Sequence, residues 1–401
     1  MKRYLLSIVL GLCTLGILCT YYTYGAADHL PEYKLTTVQG DPKEGTVIEL
    51  SGNYGGRMRS ESLSVTVDGS KYRSRETLRD QILGARSWVY NNKEMEQWIR
   101  DHRQFMRGKD QLYGFYKDDE WLIYVTGSTR VGLSIERLNL KTNEVQQYTT
   151  KIPVQVEKGF YNVVDVQKIK DKLHVITLQD TKATQIQQPM QYFHYVLNFD
   201  NGTLIQSEQI THWKNTKKNV ETDYNTMYNA GTPNNYLAFT VTENKISDKK
   251  ENSYTSERIA THIYVYSYQM GKLVALPDPK QQFNPRTNYY HEGDQILYTT
   301  YDNQTVQLSR YNLVTGLEER DYATFKASQF GADEVQSVIV SGNRAYVSLM
   351  KGTSPKAVVL DTADGSVRYV GEVSFEGPAS ERAKEMKLLQ LYNLNINEWV
   401  S

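Results

Sequence analysis

The stretch AVVLDTADGSVRYV, residues 357–370, carries Asp361-Thr362-Ala363-Asp364-Gly365 at its centre. Those five residues read either as half of a calcium loop or as the corner of a β-hairpin. Four other segments decide between the two: IERLNLKTNEVQQY (135–148), YVLNFDNGTLIQSE (195–208), IYVYSYQMGKLVAL (263–276) and LSRYNLVTGLEERD (308–321). In each, two alternating apolar and polar runs flank a tight corner whose key position is Asn143, Gly202, Gly271, Gly316 or, in the opening stretch, Gly365. Glycine and asparagine tolerate the positive φ that a short hairpin turn demands, so backbone geometry alone explains the corner. A calcium loop needs acids repeated in one register. Only the last copy has Asp361 and Asp364 together, and the third reads Gln269-Met270-Gly271-Lys272. No ion is expected at these corners.

A second element recurs upstream of every corner: DEWLIYV from Asp119, KDKLHVI from Lys170, NNYLAFT from Asn234, GDQILYT from Gly293 and GNRAYVS from Gly342. Each opens on polar turn residues and runs into a short apolar, aromatic strand. Another strand precedes it, clearest at 161–166 and 334–340. The unit is therefore strand, turn, strand, variable loop, strand, corner, strand, five times between about 110 and 372. The key positions lie 59, 69, 45 and 49 residues apart. Four strands per unit, with a period of roughly 40–50 residues stretched by insertions, resemble β-propeller blades, and the corners are similar to those of quinoprotein-like or YVTN-like repeats. The resemblance implies an all-β chain of four-stranded antiparallel blades.

A single blade cannot bury both its faces, so five need more material to close a ring. Residues 46–73, with an Asp68-Gly69 hairpin signal, and 386–400 supply strand-like sequence at the two ends. A composite blade made from both predicts six blades, with seven as the alternative, in a domain over 46–401. Two short peripheral helices interrupt the plan within 74–107: one over 94–106, capped by Asn91 or Asn92 and stopped by Gly108, and a shorter one over 75–83, capped by Ser74.

The N-terminus reads differently. After Lys2 and Arg3 no charge occurs until Asp28. This stretch is long enough to cross about 30 Å of hydrocarbon, with the positive charges held in the cytoplasm and Tyr21, Tyr22 and Tyr24 at the far interface. The expectation is a signal-anchor over 1–28, one transmembrane helix, and a tether over 29–45, which puts the bulk of the chain outside the cytoplasm at the cell membrane. A cleavable signal peptide ending near Gly25-Ala26-Ala27, giving a secreted protein, is the rival. Both cysteines, Cys13 and Cys19, fall inside this segment, so the remainder has no disulfide or thiolate chemistry. Leu12 and Leu18 precede them where a lipidation site wants small residues. An exported chain with so little cysteine resembles Gram-positive bacterial usage. Lysine plus arginine equal aspartate plus glutamate at 46 each, so no net field draws nucleic acid or anionic lipid. The 31 tyrosines suit half-buried strand positions, apolar at one end and wet at the other.

Catalytic patterns are scarce. The seven histidines form no i, i+2 or i, i+4 pair, and His174 sits in a strand as a core or face residue. No nucleophile elbow, P-loop or zincin helix occurs, and the five tryptophans do not repeat at one blade position as quinone docking requires. Neither metal nor cofactor is expected. In such a blade the loop between strands two and three shares one face with the connection to the next blade. Long segments on that face, 180–191, 211–231, 243–258 and 277–290, gather Trp213, Lys214, Lys217, Lys218, Lys249, Lys250, Tyr254, Tyr289 and Tyr290 as candidate partner-binding residues. The leading expectation is a non-catalytic, membrane-tethered extracytoplasmic scaffold that binds a protein or a cell-envelope polymer. An accessory sensor of a membrane signalling system and a glycan- or peptide-processing enzyme are the alternatives.

Overall fold

A computed structural model describes residues 10–18, 30–55, 60–75, 93–128, 131–153, 161–179, 191–211, 220–227, 231–250, 253–276 and 286–396. Six antiparallel sheets follow one another along the chain. Blade 1 holds β2 (Ile48–Gly55), β3 (Ser60–Thr66) and β4 (Gly69–Tyr72), with the C-terminal strand β25 (Leu389–Ile396) on the free side of β2. Blade 2 is β5 (Phe115–Lys117), β6 (Trp121–Ser128), β7 (Gly132–Asn139) and β8 (Val145–Thr150). Blade 3 is β9 (Tyr161–Ile169), β10 (Lys172–Gln179), β11 (Gln191–Asn198) and β12 (Leu204–Gln209). Blade 4 is β13 (Val220–Met227), β14 (Tyr236–Lys250), β15 (Ser253–Ser267) and β16 (Lys272–Ala275). Blade 5 is β17 (Thr287–Glu292), β18 (Gln295–Tyr301), β19 (Thr305–Asn312) and β20 (Glu318–Lys326). Blade 6 is β21 (Glu334–Ser341), β22 (Arg344–Lys351), β23 (Ser354–Asp361) and β24 (Val367–Phe375), extended by a fifth strand, β1 (Tyr33–Gly40). Among the described residues there are six such sheets, the layout of β-propeller blades.

The five corners share one hydrogen-bond scheme. The first corner residue lends a side-chain oxygen to the amides that follow it: Asn139 accepts from Lys141 and Thr142 at 2.9 and 3.0 Å, Asn198 from Asp200 and Asn201 at 3.0 and 3.1 Å, and Asn312 from Val314 and Thr315 at 3.0 and 2.8 Å. Ser267 accepts from Met270 at 3.3 Å and Asp361 from Ala363 at 2.9 Å. The carbonyl of that residue takes the amide four positions on, at 2.8–2.9 Å. The fourth position then sits at a φ between +60° and +75°, which is why it is Gly or Asn. Asp361 is thus a turn residue. Its second oxygen receives Arg344 at 3.0 Å and Arg368 at 2.7 Å, so the carboxylate is spent on guanidinium groups that a calcium ion would repel. Burial pushes its pKa up, but the Ala363 amide and the two arginines outweigh that and hold it below the usual carboxylate value.

Stacked faces make the core. Alternate residues of each sheet point opposite ways, and apolar clusters join blade 2 to 3, 3 to 4, 4 to 5, 5 to 6 and 6 to 1. Blade 2's remaining face, with Leu122, Tyr124 and Leu138, is covered by Met95, Trp98, Phe105 and Met106. Those four belong to the helices Lys93–Asp101 and Arg103–Met106, which occupy the region expected to be helical and meet at His102. Most of the expected helix over 75–83 lies outside the described residues, of which 73–75 form a 3-10 turn.

Closure involves both ends of the chain. Residues 33–40, within the expected tether, are β1, which pairs with β24 while β2 pairs with β25. The short helix Pro42–Gly45 between β1 and β2 is capped by Asp41 and presents Glu44 to Arg344 in a two-pronged pair at 2.7 and 2.9 Å. Tyrosines knit the seam: Tyr33 donates to the Glu385 carbonyl at 2.9 Å, Tyr54 to the Glu385 carboxylate at 2.6 Å, and Tyr72 to the Pro31 carbonyl at 2.5 Å. Their rings fill the apolar interior.

The expected transmembrane helix is corrected. Among the described residues no helix is long and apolar enough to cross a membrane. The helical stretch at 10–18 has nine residues, about 14 Å at a rise of 1.5 Å per residue, against a hydrocarbon layer of about 30 Å. The single-pass anchor at the cell membrane falls with it; residues 1–9 and 19–29 lie outside the described residues.

The corners give a graded test. A Cβ on Gly271 would meet only Glu208 and Tyr266 side-chain oxygens, at 3.4 and 3.9 Å, whereas on Gly365 it would lie 2.6 Å from Ala323 Cβ and 2.9 Å from Phe325 Cζ. Gly271→Ala should therefore lose about 1–2 kcal/mol, the cost of a left-handed backbone for an L-residue. Gly365→Ala should lose clearly more in urea unfolding. Equal losses would mean that the turn conformation, not the contact with blade 5, sets the cost.

Candidate functional site

The described residues enclose a cleft of about 480 Å³ where blade 4 meets blade 5, beside the inner strands. Five strands line it. Strand β13 contributes Asn225 and Met227, the facing rows of β14 and β15 contribute Thr240, Thr242, Thr261 and Arg258, and β17 contributes Thr287, Asn288 and Tyr289. Val338, Ile339 and Val340 of β21 complete the wall. The register explains the grouping. Asn225 opposes Thr240, Asp223 opposes Thr242, and Thr242 opposes Thr261, so these side chains share one sheet face. Toward the hairpin end of the strands that face is polar; toward the opposite end it becomes Ala238, Ile263 and Val265, which pack on Ile296 of blade 5.

Of the residues expected from the sequence to bind a partner, Tyr289 and Tyr290 lie on this cleft. Both belong to β17, within a segment read from the sequence as a loop, and they diverge. Tyr289 faces blade 4 with its ring 6.1 Å from that of Tyr298, while the Tyr290 hydroxyl accepts the Gly342 amide of blade 6 at 3.0 Å. Trp213, Lys214, Lys217 and Lys218 lie outside the described residues. Lys249, Lys250 and Tyr254 are placed by the backbone near the tip of the β14–β15 hairpin, where Lys250 opposes Ser253. This hairpin occupies the third long segment, expected as a loop. Its strands have fifteen residues each, while β13 ends its pairing at Lys245. Five residues of β14 therefore run past the sheet, about 17 Å at 3.3 Å per residue. Sequence reasoning missed the threonine and asparagine wall, whose only signal is the alternation of Thr with apolar residues over 239–242.

A second polar constellation is buried between blades 3 and 4. His174 Nδ1 lies 2.9 Å from His194 Nε2, His194 Nδ1 lies 2.7 Å from the Tyr266 hydroxyl, and that hydroxyl donates to Glu208 at 2.5 Å. With both rings neutral every contact pairs one donor with one acceptor, running from His174 through His194 and Tyr266 to Glu208. Beside it the Tyr268 hydroxyl donates to Asp165, which also accepts from Gln167 at 3.2 Å. The histidines stand twenty residues apart in sequence and meet because β10 and β11 pair. Among the described residues no group of three or more His, Cys, Asp or Glu is arranged to hold a metal. The constellation is closed by its own bonds and acts as a polar staple between blades.

Burial keeps three histidines neutral. It pushes His174 down to about 4, helped by His194 and Lys172, lowers His194, and pushes His291 down to about 4 against the pull of the Gly293 carbonyl and Asp294. The unfolded chain takes up protons at these rings below about 6.5 while the folded chain does not, so stability is full above that value and falls as the pH drops toward 4. Asp165, pushed up to about 6 by burial, works the other way over part of the window but is a single group. The melting temperature should fall between pH 7 and pH 5. His291→Gln, which can keep a donor toward Gly293, should flatten the profile by about 2 kcal/mol. A variant profile parallel to the parent would show that this ring does not govern the acid sensitivity.

No protein-family model matches the chain, and no curated protein does. Among solved structures it is similar to the uncharacterized protein lmo1340 from Listeria monocytogenes EGD-e, at 10% identity and a TM-score of 0.33 over 65% of this chain and 67% of that one. It is also similar to TolB from Acinetobacter baumannii, at 11% identity and a TM-score of 0.22 over 83% and 81%. An acylaminoacyl peptidase from Pyrococcus horikoshii matches at 10% identity and a TM-score of 0.32 over 83% of this chain. The chain spans about half the length of that peptidase, 47%. Overlaps this loose carry no statement about activity or partner, and the propeller assignment stands on the six sheets themselves.

Proposed function

We propose that the protein is a non-catalytic binding scaffold that engages a protein or cell-envelope ligand at the face carrying the β14–β15 hairpin and the blade 4–blade 5 cleft. One observation carries this reading. Among the described residues, blade 4 alone sends two paired fifteen-residue strands past its neighbours, while the other sheets have strands of three to nine residues. A paired ribbon costs less entropy to order on binding than a free loop, so it presents a surface already shaped for contact.

The test shortens the arm without touching the sheet. Replacing residues 246–256 by an Asn-Gly turn keeps the Lys245–Glu257 pair and leaves the β13 ladder, which ends at Lys245, intact. The shortened protein should keep its melting temperature and lose at least about tenfold in retention by a cell-envelope fraction, the loss expected when a central contact worth a few kcal/mol is removed. Undiminished retention by a folded variant would remove the hairpin from the binding face.

A further inference from the structure

Blade 1 departs from the other sheets. One of its faces sends Ile48, Leu50, Leu63, Val65, Leu391 and Leu394 into the cluster shared with blade 6. Its other face carries no apolar cluster among the described residues. There the register aligns Asn393, Ser51, Ser64 and Lys71 in one row across the four strands, and Gln390, Asn53 and Ser62 in the next. Each full row spans about 14 Å, three gaps of about 4.8 Å between strands. The rows are tied together: Asn395 Nδ2 donates to Ser51 Oγ at 2.8 Å, and Ser62 Oγ donates to Asn53 Oδ1 at 3.1 Å. Asn53 Nδ2 in turn donates to the Tyr392 hydroxyl at 3.1 Å. Tyr392 is the extra residue of a β-bulge, because Ser51 opposes Asn393 while Gly52 opposes Leu391. Such a bulge re-aims a side chain, and this one leaves the Tyr392 ring 56% exposed on the polar face.

A cleft of about 760 Å³ follows this face from Tyr392 and Asn393 to the outer strand, where Lys71, Arg73 and Arg75 stand. That volume is in the range of ligand sites, roughly 300–1000 Å³. Arg75 is paired with Glu32 at 2.7 Å. Lys71 and Arg73 are exposed and take no part in the ion pairs of the described residues. The one carboxylate on the cleft, Glu49, stands opposite Asn395, two residues along β2 from the row that ends at Lys71. The rim is therefore cationic. A protein interface is organised around a desolvated apolar centre, and this face offers a single aromatic ring. A membrane surface needs apolar side chains to insert or a larger basic cluster. A chain of sugar rings needs what the face has: rows of short hydroxyl and amide groups for its hydroxyls, an exposed aromatic ring for a C–H face, and cations for carboxylates on the sugars.

From this we infer that the polar face of blade 1 binds an acidic polysaccharide laid across its strands. Tyr392 packs against a sugar ring, the Ser51–Ser64 and Asn53–Ser62 rows meet the hydroxyls, and Lys71 and Arg73 meet the carboxylates. The site lies on a different blade from the β14–β15 hairpin and the blade 4–blade 5 cleft, and it stands independently of the reading given to them. Its shape is fixed before binding, since the opposite face of the same strands is locked into the core with blade 6.

The experiment is calorimetric titration of the full chain with polygalacturonate and with its methyl-esterified, uncharged counterpart. Polygalacturonate should bind at least about tenfold more tightly, the worth of one charge-assisted hydrogen bond. The double variant Lys71→Gln with Arg73→Gln, at two exposed positions, should erase that preference and leave the ester unchanged. Tyr392→Ala should weaken both by about fivefold, as loss of an aromatic contact does, and circular dichroism must show the variant folded. The protein with the shortened hairpin should bind polygalacturonate as the parent does. The idea is overturned if polygalacturonate does not bind at millimolar uronate, if the ester binds as tightly, or if the double variant binds polygalacturonate as the parent does. It is equally overturned if polyglutamate competes as well as the polysaccharide, which would assign the face to acidic peptide, or if the shortened hairpin abolishes the binding, which would move the site off blade 1. Failure of polygalacturonate to bind, with the shortened hairpin still losing envelope retention, removes the blade 1 site alone.

Discussion

A four-stranded sheet of alternating residues has two faces, and in this protein blades 2 to 6 each carry an apolar cluster on both. Neither can be left in water, since each exposed face would forfeit the burial of several large side chains. The sheets must therefore stack, and a set of sheets stacked face to face around a common line of inner strands is a propeller. The other features of the fold answer to that constraint. The corners keep the third and fourth strands of each blade in register, and the seam of tyrosines and the Arg344 clamp join the last blade to the first.

Closure shows how the constraint acts at chain ends. A strand edge left open is a template for unwanted pairing. Here β25 fills the inner edge of blade 1 and β1 lengthens blade 6, so segments close to opposite ends of the described chain are locked into adjacent sheets. Arg344 joins Glu44 of the first connection to Asp361 of the last corner, one guanidinium satisfying two carboxylates from distant sequence. Blade 2 covers its remaining face with a helix pair in place of a sheet.

Polar groups survive in this interior only where they bond to one another. The relay from His174 to Glu208 and the Tyr268–Asp165 pair are satisfied within the blade interface and leave nothing over for a ligand. The cleft beside blade 5 has the opposite character, with an unpartnered Thr261 hydroxyl and an exposed Arg258. Buried polar groups that lack partners are costly. That contrast separates a structural network from a surface suited to binding.

The repeat was legible in the amino-acid sequence because its causes are local. Asn143, Gly202, Gly271, Gly316 and Gly365 sit at positive φ, a property of a few consecutive residues, and the alternation of the flanking runs fixes which way side chains point. The reading of Asp361 as a turn residue followed from comparing registers, and needed no partner. Tyr289 was legible as a candidate, though not as a strand residue. The apolar N-terminal stretch was read by hydropathy as a span, whereas among the described residues no helix is long and apolar enough for one. What tertiary structure alone decided is everything that depends on which sheets touch. The His174–His194 pair, the cleft wall of Asn225, Thr240, Thr242 and Thr261, and the strand role of residues 33–40 each require contacts between positions far apart in the chain. No local propensity encodes such a contact, because its energy exists only once the intervening sheets have stacked.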